Sequence, residues 1–401
     1  MRITSFLFRL IFIKSIFIFL IKSNSYAQTV SFYTGAHQDD WQLFKSSKAM
    51  FDQNNQHKLV FITLTAGDAG LGAGGKGNVP YFKARENGAI LSSKFLADIN
   101  KPASVGKGEW VQINEHKVYR YTYKSTVNYF LRLPDGNPNG TGYEHTGRQS
   151  LQLTYDAQKT TNNKEIMAVD SSAKYSSLQD LVLTIQTILK EEMKGHSKAY
   201  LHITDIDTSI NVRDHSDHLH ASKIFIEAAS GIQSLGIYSY TNYFSARMPQ
   251  NLSIKQVQDA SALHACDVVG MTEGGYNSNW DALHNSWLTM DYYRIKKFPG
   301  ADQPPILESY SNKMLTPLIG RIITDSAKQK NLLLLSVETQ VKEIIDVKIF
   351  DGNGNEHTAT RISIPSSQAV SILLSKAITK GKYYLYARSG YFEDLQEFEI
   401  D

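Results

Sequence analysis

The sequence predicts an α/β protein with a Rossmann-like, doubly wound and mostly parallel sheet, followed by a small all-β sandwich. Apolar, β-prone runs alternate with stretches of helical periodicity from about residue 28 to 300, which is typical of helices on both faces of a parallel sheet. After about residue 316, up to residue 401, short strand-like runs are separated by turn signals such as Asp351-Gly352-Asn353-Gly354, which predicts the sandwich. Residues 301–315 are the expected linker.

The first 27 residues predict a cleaved signal peptide. Basic residues flank or interrupt an apolar run whose cleanest part is residues 16–21, and Ser25-Tyr26-Ala27 then offers small residues at the positions that a signal peptidase reads. We expect cleavage after Ala27 and export to the periplasm or the extracellular space. A membrane anchor is the alternative, but two basic residues within so short a run argue against a stable span.

Composition narrows the classes of function. The chain of 401 residues has a formal net charge of +3, and removal of the four basic residues of the predicted signal leaves −1. This balance gives no indication of nucleic acid or an anionic membrane as partner. Cys266 is the single cysteine, which excludes an internal disulfide framework, and we expect it to be a small buried residue.

The elements of the first domain follow in order along the chain. Residues 30–34 and 59–65 are predicted to be buried strands, because they show little alternation, and residues 41–51 between them have helical spacing. A clearer helix is predicted over residues 178–193, and residues 200–204 form the next strand.

Two stretches interrupt this alternation. Residues 67–77 are glycine-rich and follow a strand, but no Gly-Lys-Ser/Thr ends them, so we expect a flexible loop rather than a phosphate-binding loop. Residues from about 107 to 164 are rich in Tyr, Asn, Thr and Gly, which predicts an insertion of loops and short strands that could wall a cleft.

Two polar motifs carry the candidate chemistry. Gly35-Ala36-His37-Gln38-Asp39-Asp40 follows the first strand, and Arg213-Asp214-His215-Ser216-Asp217-His218 precedes a helix-like stretch over residues 219–232. In an open α/β sheet, such loops lie where ligands bind. Each motif contains two potential ligands three residues apart, so imidazole and carboxylate groups can converge on a divalent metal with a position left open for water.

Each motif alone has a simpler explanation. A lone His-x-x-Asp is more often a helix cap beside a surface histidine, and Asp40 could be the N-cap of the following helix. The presence of both motifs, each between a strand and a helix, favours a site. Two histidines and a carboxylate could also hold iron(II) for oxygen chemistry, but Asp39 beside the ligands favours hydrolysis, because an oxygenase needs no such base.

The two motifs resemble those of the PIG-L/LmbE family of zinc-dependent de-N-acetylases. That family has an Ala-His-Pro-Asp-Asp-Glu segment after its first strand and a His-Pro-Asp-His segment further on; here Gln38, Trp41 and Ser216 replace Pro, Glu and Pro. Arg85-Glu86 resembles a dipeptide beside the family's sugar pocket, and residues 128–136 resemble a run in its exported members. The resemblance extends from about residue 30 to 293 and does not include the sandwich.

The resemblance implies a role for each motif residue. His37, Asp40 and His218 would be the zinc ligands, and Asp39 the general base that takes a proton from the attacking water. His215 would polarise the acetyl carbonyl and stabilise the oxyanion as a cationic imidazole. Either Asp39 or His215 would protonate the departing amine.

Three further residues would have supporting roles. Asp217 is the expected carboxylate that holds a ligand imidazole in place. Arg85 would clamp the substrate, unless it forms an ordinary helix salt bridge with a neighbour. Trp41 could offer a stacking face for a sugar.

The sequence therefore predicts an exported, zinc-dependent hydrolase that removes the N-acetyl group of a sugar or glycoconjugate, with another divalent metal such as Fe²⁺ as an option. The expected partner is an N-acetylated sugar or glycan, and neither nucleic acid nor a stable membrane span after signal removal is expected. Two alternatives stay open. One is a secreted carbohydrate-binding protein with little turnover, against which Asp39 argues, and the other is an amidase for a non-sugar N-acyl compound, which would share the site.

Overall fold

The computed structural model describes residues 29–99, 101–160, 163–232, 235–248 and 250–297, together with seven strands and some connecting residues between positions 317 and 400. The predicted signal peptide, its cleavage site and the linker at residues 301–315 lie outside the described residues. Within the described residues, no helix is both long enough and apolar enough to cross a membrane.

In its described part up to residue 297, the chain forms short strands and helices in alternation. The strands are β1 (Thr29–Gly35), β2 (Lys58–Thr65), β3 (Lys107–Ile113), β4 (His116–Tyr123), β5 (Thr126–Leu133), β6 (Ile166–Met167), β7 (Lys174–Tyr175), β8 (Lys198–Thr204), β9 (Leu235–Thr241) and β10 (Tyr292–Lys297). The helices are α1 (Asp40–Phe44), α2 (Ser46–Asn54), α3 (Tyr81–Asp98), α4 (Leu151–Ala157), α5 (Leu178–Met193), α6 (Ser216–Ala229), α7 (Ile254–Glu273) and α8 (Ala282–Trp287).

Eight of these strands form one sheet in the order β10-β9-β8-β1-β2-β5-β4-β3. The five strands from β9 to β5 run parallel, and the edge strands β10, β4 and β3 run antiparallel to their neighbours. Strands β6 and β7 pair only with each other. The predicted α/β class with a mostly parallel sheet is confirmed.

Alternate side chains of the strands pack against helices on opposite faces of the sheet, as the two-residue period of a strand requires. On one face, Val30, Phe32 and Leu201 belong to a large apolar cluster that includes α5 and α6. On the other face, Tyr33 and Phe61 pack with side chains of α2, α3 and α7. The sheet is therefore doubly wound, and its strands present their carboxyl ends at one common edge.

Two sequence-based predictions differ from the structure in this region. Residues 41–51 form two helices rather than one, because the backbone leaves the helical conformation at Lys45, whose buried ammonium group donates to the carbonyl of Thr34. The segment from about 107 to 164 is not a separate insertion, because β5 pairs in parallel with β2 and is buried along its whole length. Its polar and aromatic composition obscured this strand in the sequence.

The described residues after position 316 form two antiparallel sheets, which confirms an all-β second part. Their strands are β11 (Pro317–Asp325), β12 (Lys330–Val337), β13 (Glu343–Asp351), β14 (Glu356–Ile364), β15 (Ala369–Leu373), β16 (Gly381–Ser389) and β17 (Phe392–Ile400). The order is β11-β12-β15 in one sheet and β14-β13-β16-β17 in the other. Phe350 on β13 and Tyr386 on β16 pack against the main sheet, in a cluster with Tyr200, Tyr238 and Tyr240.

Candidate metal centre and active site

The first motif forms a tight turn at the carboxyl end of β1. A Cβ atom at Gly35 would lie only 3.0 Å from the side chain of Asp40, so a larger residue there would crowd Asp40. Oδ2 of Asp40 accepts hydrogen bonds from the backbone amides of Ala36 (2.8 Å) and His37 (3.1 Å). Asp40 is the first residue of α1 and bonds the preceding loop rather than the helix, so the simpler explanation of Asp40 as an N-cap is wrong. Its Oδ1 lies 3.1 Å from Nε2 of His218.

The second motif forms the start of α6, which follows β8. His215 is the N-cap residue of α6, and its Nδ1 accepts a hydrogen bond from the amide of Asp217 (3.1 Å). His218 lies in the first turn of the helix, so its ring reaches the same edge of the sheet as the first motif. Strand order places β8 directly beside β1, which brings the two loops together.

Three buried ligand atoms meet between the loops. Nε2 of His218 lies 3.1 Å from Nδ1 of His37 and 3.1 Å from Oδ1 of Asp40, and the last two atoms are 3.8 Å apart. Zinc bonds of about 2.0–2.1 Å in a tetrahedral arrangement place ligand atoms about 3.3 Å apart. Two nitrogens and one carboxylate oxygen at this spacing therefore fit a divalent metal.

The charges of the surrounding groups favour a cation at this point. Burial opposes a positive charge on His218, but Asp40 and Asp214 raise its pKa above the ordinary value. Burial likewise opposes a charge on Asp40, but His218 and His37 hold the pKa of that carboxyl well below its usual range. A site that stabilises protonated imidazoles beside an ionised carboxylate also stabilises a metal ion in place of the protons.

Asp214 positions one ligand ring and was not identified from the sequence. Its Oδ1 accepts a hydrogen bond from Nδ1 of His218 at 2.9 Å, which leaves Nε2 of that ring directed at the metal position. The same oxygen accepts from the amide of His215 at 2.9 Å. The four-residue spacing between Asp214 and His218 across the start of a helix is the signal that could have identified it.

Asp217 was expected from the sequence to hold a ligand imidazole in place, and it lies beside His37 in the structure. Its Oδ2 is 3.6 Å from Nε2 of His37, and Oδ2 of Asp135 is 3.9 Å from the same nitrogen. Both distances exceed a hydrogen bond, and Nε2 of His37 has no hydrogen-bond partner among the described residues. Asp217 instead accepts from the amide of Gly136 at 2.7 Å.

Asp135, His215 and Asp217 form a second potential ligand group with His37. In this group, Nε2 of His37 lies 3.6 Å from Asp217 and 3.9 Å from Asp135, and Nδ1 of His215 lies 3.9 Å from Asp217. These distances are longer than two of the three in the first group. Nδ1 of His215 and Oδ2 of Asp217 also already accept backbone hydrogen bonds. The first group, His37, Asp40 and His218, is therefore the better metal site.

Asp39 lies next to this group and is held by Arg85. The guanidinium of Arg85 forms an ion pair with Oδ1 of Asp39 and donates to the carbonyl of Gly67 at 3.1 Å. Burial would raise the pKa of Asp39, but Arg85 lowers it below the ordinary value, so the carboxylate is ionised at neutral pH. Arg85 is thus neither a free clamp nor in a salt bridge within its own helix. The adjacent Glu86 pairs with Arg132 at 2.6 and 2.7 Å.

The surroundings of His215 favour its neutral form. Burial, followed by the neighbouring His37 and His218, lowers its pKa to about 2. Burial and the two neighbouring histidines therefore disfavour the cationic imidazole that was expected from the sequence. Since Nδ1 of His215 accepts from a backbone amide, its proton belongs on Nε2, where it is available as a hydrogen-bond donor.

The residues that depart from the family motifs have structural roles. Trp41 is 3% exposed and packs on Phe61 with ring centroids 4.4 Å apart, so its predicted role in sugar stacking is wrong. It follows Asp40 on α1 and points into the layer between sheet and helices. The side-chain amide of Gln38 donates to the carbonyl of Ala66 at 2.9 Å and ties the motif to the end of β2. Ser216 donates to Gln152 at 2.6 Å.

Comparisons with known proteins place these observations in context. No family model matches the sequence, and no curated protein is similar to it in sequence. Among solved structures, the N,N'-diacetylchitobiose deacetylase of Pyrococcus horikoshii is 11% identical, with 68% of this chain and 84% of that chain covered and a TM-score of 0.33. The 4-carboxy-2-hydroxymuconate hydratase GalB of Pseudomonas putida is 12% identical, with 65% and 82% covered and a TM-score of 0.32. The conserved protein TT1542 of Thermus thermophilus is 13% identical, with 71% and 99% covered and a TM-score of 0.30. A function for this chain must therefore be argued from the site itself.

Proposed function

We propose that this protein is a metal-dependent hydrolase that removes the acetyl group from the nitrogen of an N-acetylated sugar or glycoconjugate. The single observation that carries the proposal is the buried group of His37, Asp40 and His218, preceded in the same turn by the ionised carboxylate of Asp39, which Arg85 holds. Hydrolysis of an amide needs a polarised acyl oxygen, an activated water molecule and a proton for the amine.

His37, Asp40 and His218 would hold the metal. A divalent cation bound there supplies Lewis acidity toward the acyl oxygen and lowers the pKa of a water molecule to about 7. The two imidazoles and one carboxylate suit Zn²⁺ best, and Fe²⁺ is the alternative with the same donors. Asp214 would keep the ring of His218 in the tautomer that leaves Nε2 unprotonated.

Asp39 would be the general base. It is ionised, it neighbours the ligand Asp40 in sequence, and its side chain is fixed by Arg85. After it takes a proton from the attacking water, it would pass that proton to the amine that leaves. Asp39 carries the proton that it has just taken from the water, whereas His215, with its pKa lowered to about 2, holds no extra proton to give. We therefore assign this second task to Asp39.

His215 would act as a neutral hydrogen-bond donor. Its imidazole stands edge-on to that of His37, with ring centroids 4.8 Å apart, so it lies at the same side of the site. The Nε2–H group would donate to the oxyanion that develops on the acyl oxygen, which is worth about 10²–10³-fold in rate for one donor.

The same site could serve an amidase for a non-sugar N-acyl compound, and a carbohydrate-binding protein would keep the fold without turnover. Asp39 argues against the second option, because a binding protein has no need of a fixed base beside a metal site.

An N-acetylated sugar or glycan as partner and export after cleavage at Ala27 remain parts of the proposal. If amino-terminal sequencing of the mature protein finds Gln28 as the first residue, that result would support export.

The deciding experiment combines metal analysis with acetate release. Protein purified as residues 28–401 should contain about one zinc ion per chain and release acetate from at least some members of a panel of N-acetylated sugars, glycans and acyclic N-acetyl compounds. Alanine at His218 should remove the metal. Unchanged metal content in that variant would refute the ligand assignment, and acetate release from acyclic compounds alone would favour the amidase.

A further inference from the structure

The imidazole of His37 has two ring nitrogens, and only one of them belongs to the site of His37, Asp40 and His218. Its Nδ1 lies 3.1 Å from Nε2 of His218, on the side of that site. Its Nε2 has no hydrogen-bond partner among the described residues, although His37 is only 7% exposed. Because an unsatisfied polar atom in a protein interior is costly, this nitrogen is a candidate ligand of its own.

Two carboxylates face this nitrogen. Oδ2 of Asp217 lies 3.6 Å from Nε2 of His37, and Oδ2 of Asp135 lies 3.9 Å from it. Asp217 is fully buried and Asp135 is 6% exposed. Within the part of the chain that the structure describes, neither carboxylate forms an ion pair with a lysine or an arginine. Since two buried carboxylates without a fixed cation are unfavourable, this group favours a cation from solution.

Each carboxylate can bind a cation and keep its present hydrogen bond. Oδ1 of Asp135 accepts from the amide of Asn137 at 2.9 Å, while Oδ2 lies toward His37. Oδ2 of Asp217 accepts from the amide of Gly136 at 2.7 Å, and its Oδ1 has no hydrogen-bond partner among the described residues. An ionised carboxylate has about four acceptor positions on its two oxygens, so both side chains retain the capacity to bind a cation.

An irregularity of β5 places Asp135 beside His37. Arg132, which is 4% exposed, has a left-handed backbone conformation with a φ of 59°, and the register between β2 and β5 shifts near this point. Its guanidinium is fixed by Glu86 at 2.6 Å. The backbone amide of Asp135 then donates to the buried carboxylate of Asp68 at 2.8 Å. A bulge and a strained residue that are fixed in this way are typical of functional sites, which supports a role for Asp135.

We propose that His37, Asp135 and Asp217 form a second, weaker site for a divalent cation, with Nε2 of His37 as a ligand while Nδ1 of the same ring belongs to the first site. When both nitrogens bind cations, the ring releases its proton to solvent. Nδ1 of His215 accepts from the amide of Asp217 at 3.1 Å, so His215 borders the second site and is not one of its ligands. The second site is defined by metal binding alone and does not depend on the proposed hydrolysis.

The shared imidazole makes the second site the weaker one and couples it to the first. The distances of 3.6 and 3.9 Å exceed the spacing of about 3.3 Å that tetrahedral zinc favours, and a cation at Nδ1 draws electrons away from Nε2. Metal ions that act together on one substrate are about 3.5–4 Å apart. Bonds of about 2.0 Å to the two nitrogens of one ring hold the cations farther apart than that. The second cation therefore does not join the first in a reaction, and it weakens the first site, because coupling between two sites is reciprocal.

Calorimetric titration of the zinc-loaded holoenzyme with zinc alone tests the second site. The wild type should bind about one further zinc ion per chain, more weakly than the first. Asp135→Asn keeps the oxygen that accepts from the amide of Asn137 but loses the charged ligand. This variant should retain the tightly bound zinc and lose the weakly bound one.

Three further variants give a pattern that a zinc ion on the protein surface cannot reproduce. His218→Ala removes a ligand of the first site only, so it should lose the tight zinc and keep the weak one. His37→Ala removes the shared ring and should lose both. Asp180→Asn is the matched control, because Asp180 accepts from His116 at 2.7 Å in a His–carboxylate pair that belongs to neither site. It should bind both zinc ions as the wild type does.

Weak zinc binding that persists in both Asp135→Asn and His37→Ala would overturn the proposal, because the ion would then lie elsewhere on the protein. The absence of a second binding event in the wild type would also overturn it, and so would loss of the tight zinc in Asp135→Asn. The expected pattern without acetate release would support the second site and refute the deacetylase. Acetate release by a protein that binds only the tight zinc would refute the second site alone.

Discussion

Removal of the Asp214 carboxylate should weaken metal binding although Asp214 is not itself a ligand. Oδ1 of Asp214 accepts from Nδ1 of His218 at 2.9 Å, and the side chains of both residues are almost completely shielded from solvent, at 0% and 1% exposure. This bond fixes the tautomer and the orientation of the ring, and its negative charge makes the other nitrogen more basic. His218 was predicted as a ligand from its motif, whereas the contribution of Asp214 is apparent only from the structure.

The size of the loss in metal affinity depends on which contacts of Asp214 a substitution removes. Loss of a group that positions a metal ligand typically reduces metal affinity about 10–100-fold, or about 1.4–2.8 kcal/mol. Asp214→Asn keeps an acceptor oxygen but loses the charge, so we expect a loss of about tenfold. Asp214→Ala also removes the acceptor for the amide of His215, so its loss should approach about 100-fold.

Competition with a chromophoric zinc chelator at fixed pH measures these affinities directly. Asp180→Asn is the matched control, because Asp180 accepts from His116 at 2.7 Å in another His–carboxylate pair, outside the metal site. That variant should bind zinc as the wild type does. Wild-type affinity in Asp214→Ala would refute the reasoning, and so would an equal loss in Asp180→Asn, since the effect would then not depend on His218.

The remaining assignments predict four further outcomes. Asp39→Asn should keep its zinc and lose about 10²–10⁴-fold in acetate release, or about 3–5 kcal/mol of transition-state stabilisation; zinc loss would instead make Asp39 a ligand. His215→Ala should also keep zinc but lose rate, and the acid limb of the wild-type pH–rate profile should not require His215, whose pKa is lowered to about 2. Zinc affinity should fall on acidification. The pKa values of His37 and His218 are raised, so both rings already bind protons at a pH above the ordinary pKa of about 6.5, and zinc must displace these protons. A flat chelator-competition profile between about pH 5 and 8 would contradict this. Trp41→Ala should destabilise the protein by about 3–5 kcal/mol in urea unfolding without a change in KM of the folded fraction, and a raised KM would restore Trp41 to the substrate site.

The order of strands and helices along the chain explains why the metal site could be predicted from the sequence. A polar motif that follows a buried strand and a second that precedes a helix both lie at the carboxyl edge of a parallel sheet. The structure places β1 and β8 side by side, so His37 and His218 meet although 181 residues separate them. Periodicity also located α5, predicted over residues 178–193 and observed as Leu178–Met193.

The surroundings of the site could not be predicted in the same way, because they depend on which face each residue presents. Trp41 adjoins a ligand in sequence but turns into the core, where it packs on Phe61. Asp135 approaches His37 from the loop after β5, a strand that the sequence did not reveal. The lowered pKa of His215 arises from burial and from two other histidines, one in each motif, and no single motif specifies this combination.

The second part of the chain has a physical role that its sequence does not suggest. Both faces of a parallel sheet must be covered, and helices α2, α3 and α7 cover the face that carries Tyr33 and Phe61. Farther along that face, at β8 and β9, Tyr200, Tyr238 and Tyr240 are covered instead by Phe350 and Tyr386 from the antiparallel sheet. Lys348 of β13 also donates to the carbonyl of Tyr293 in β10 at 2.9 Å. Because β9 leads directly into Asn242 and Tyr243 beside His218, the antiparallel sheet supports the strand that ends at the metal centre.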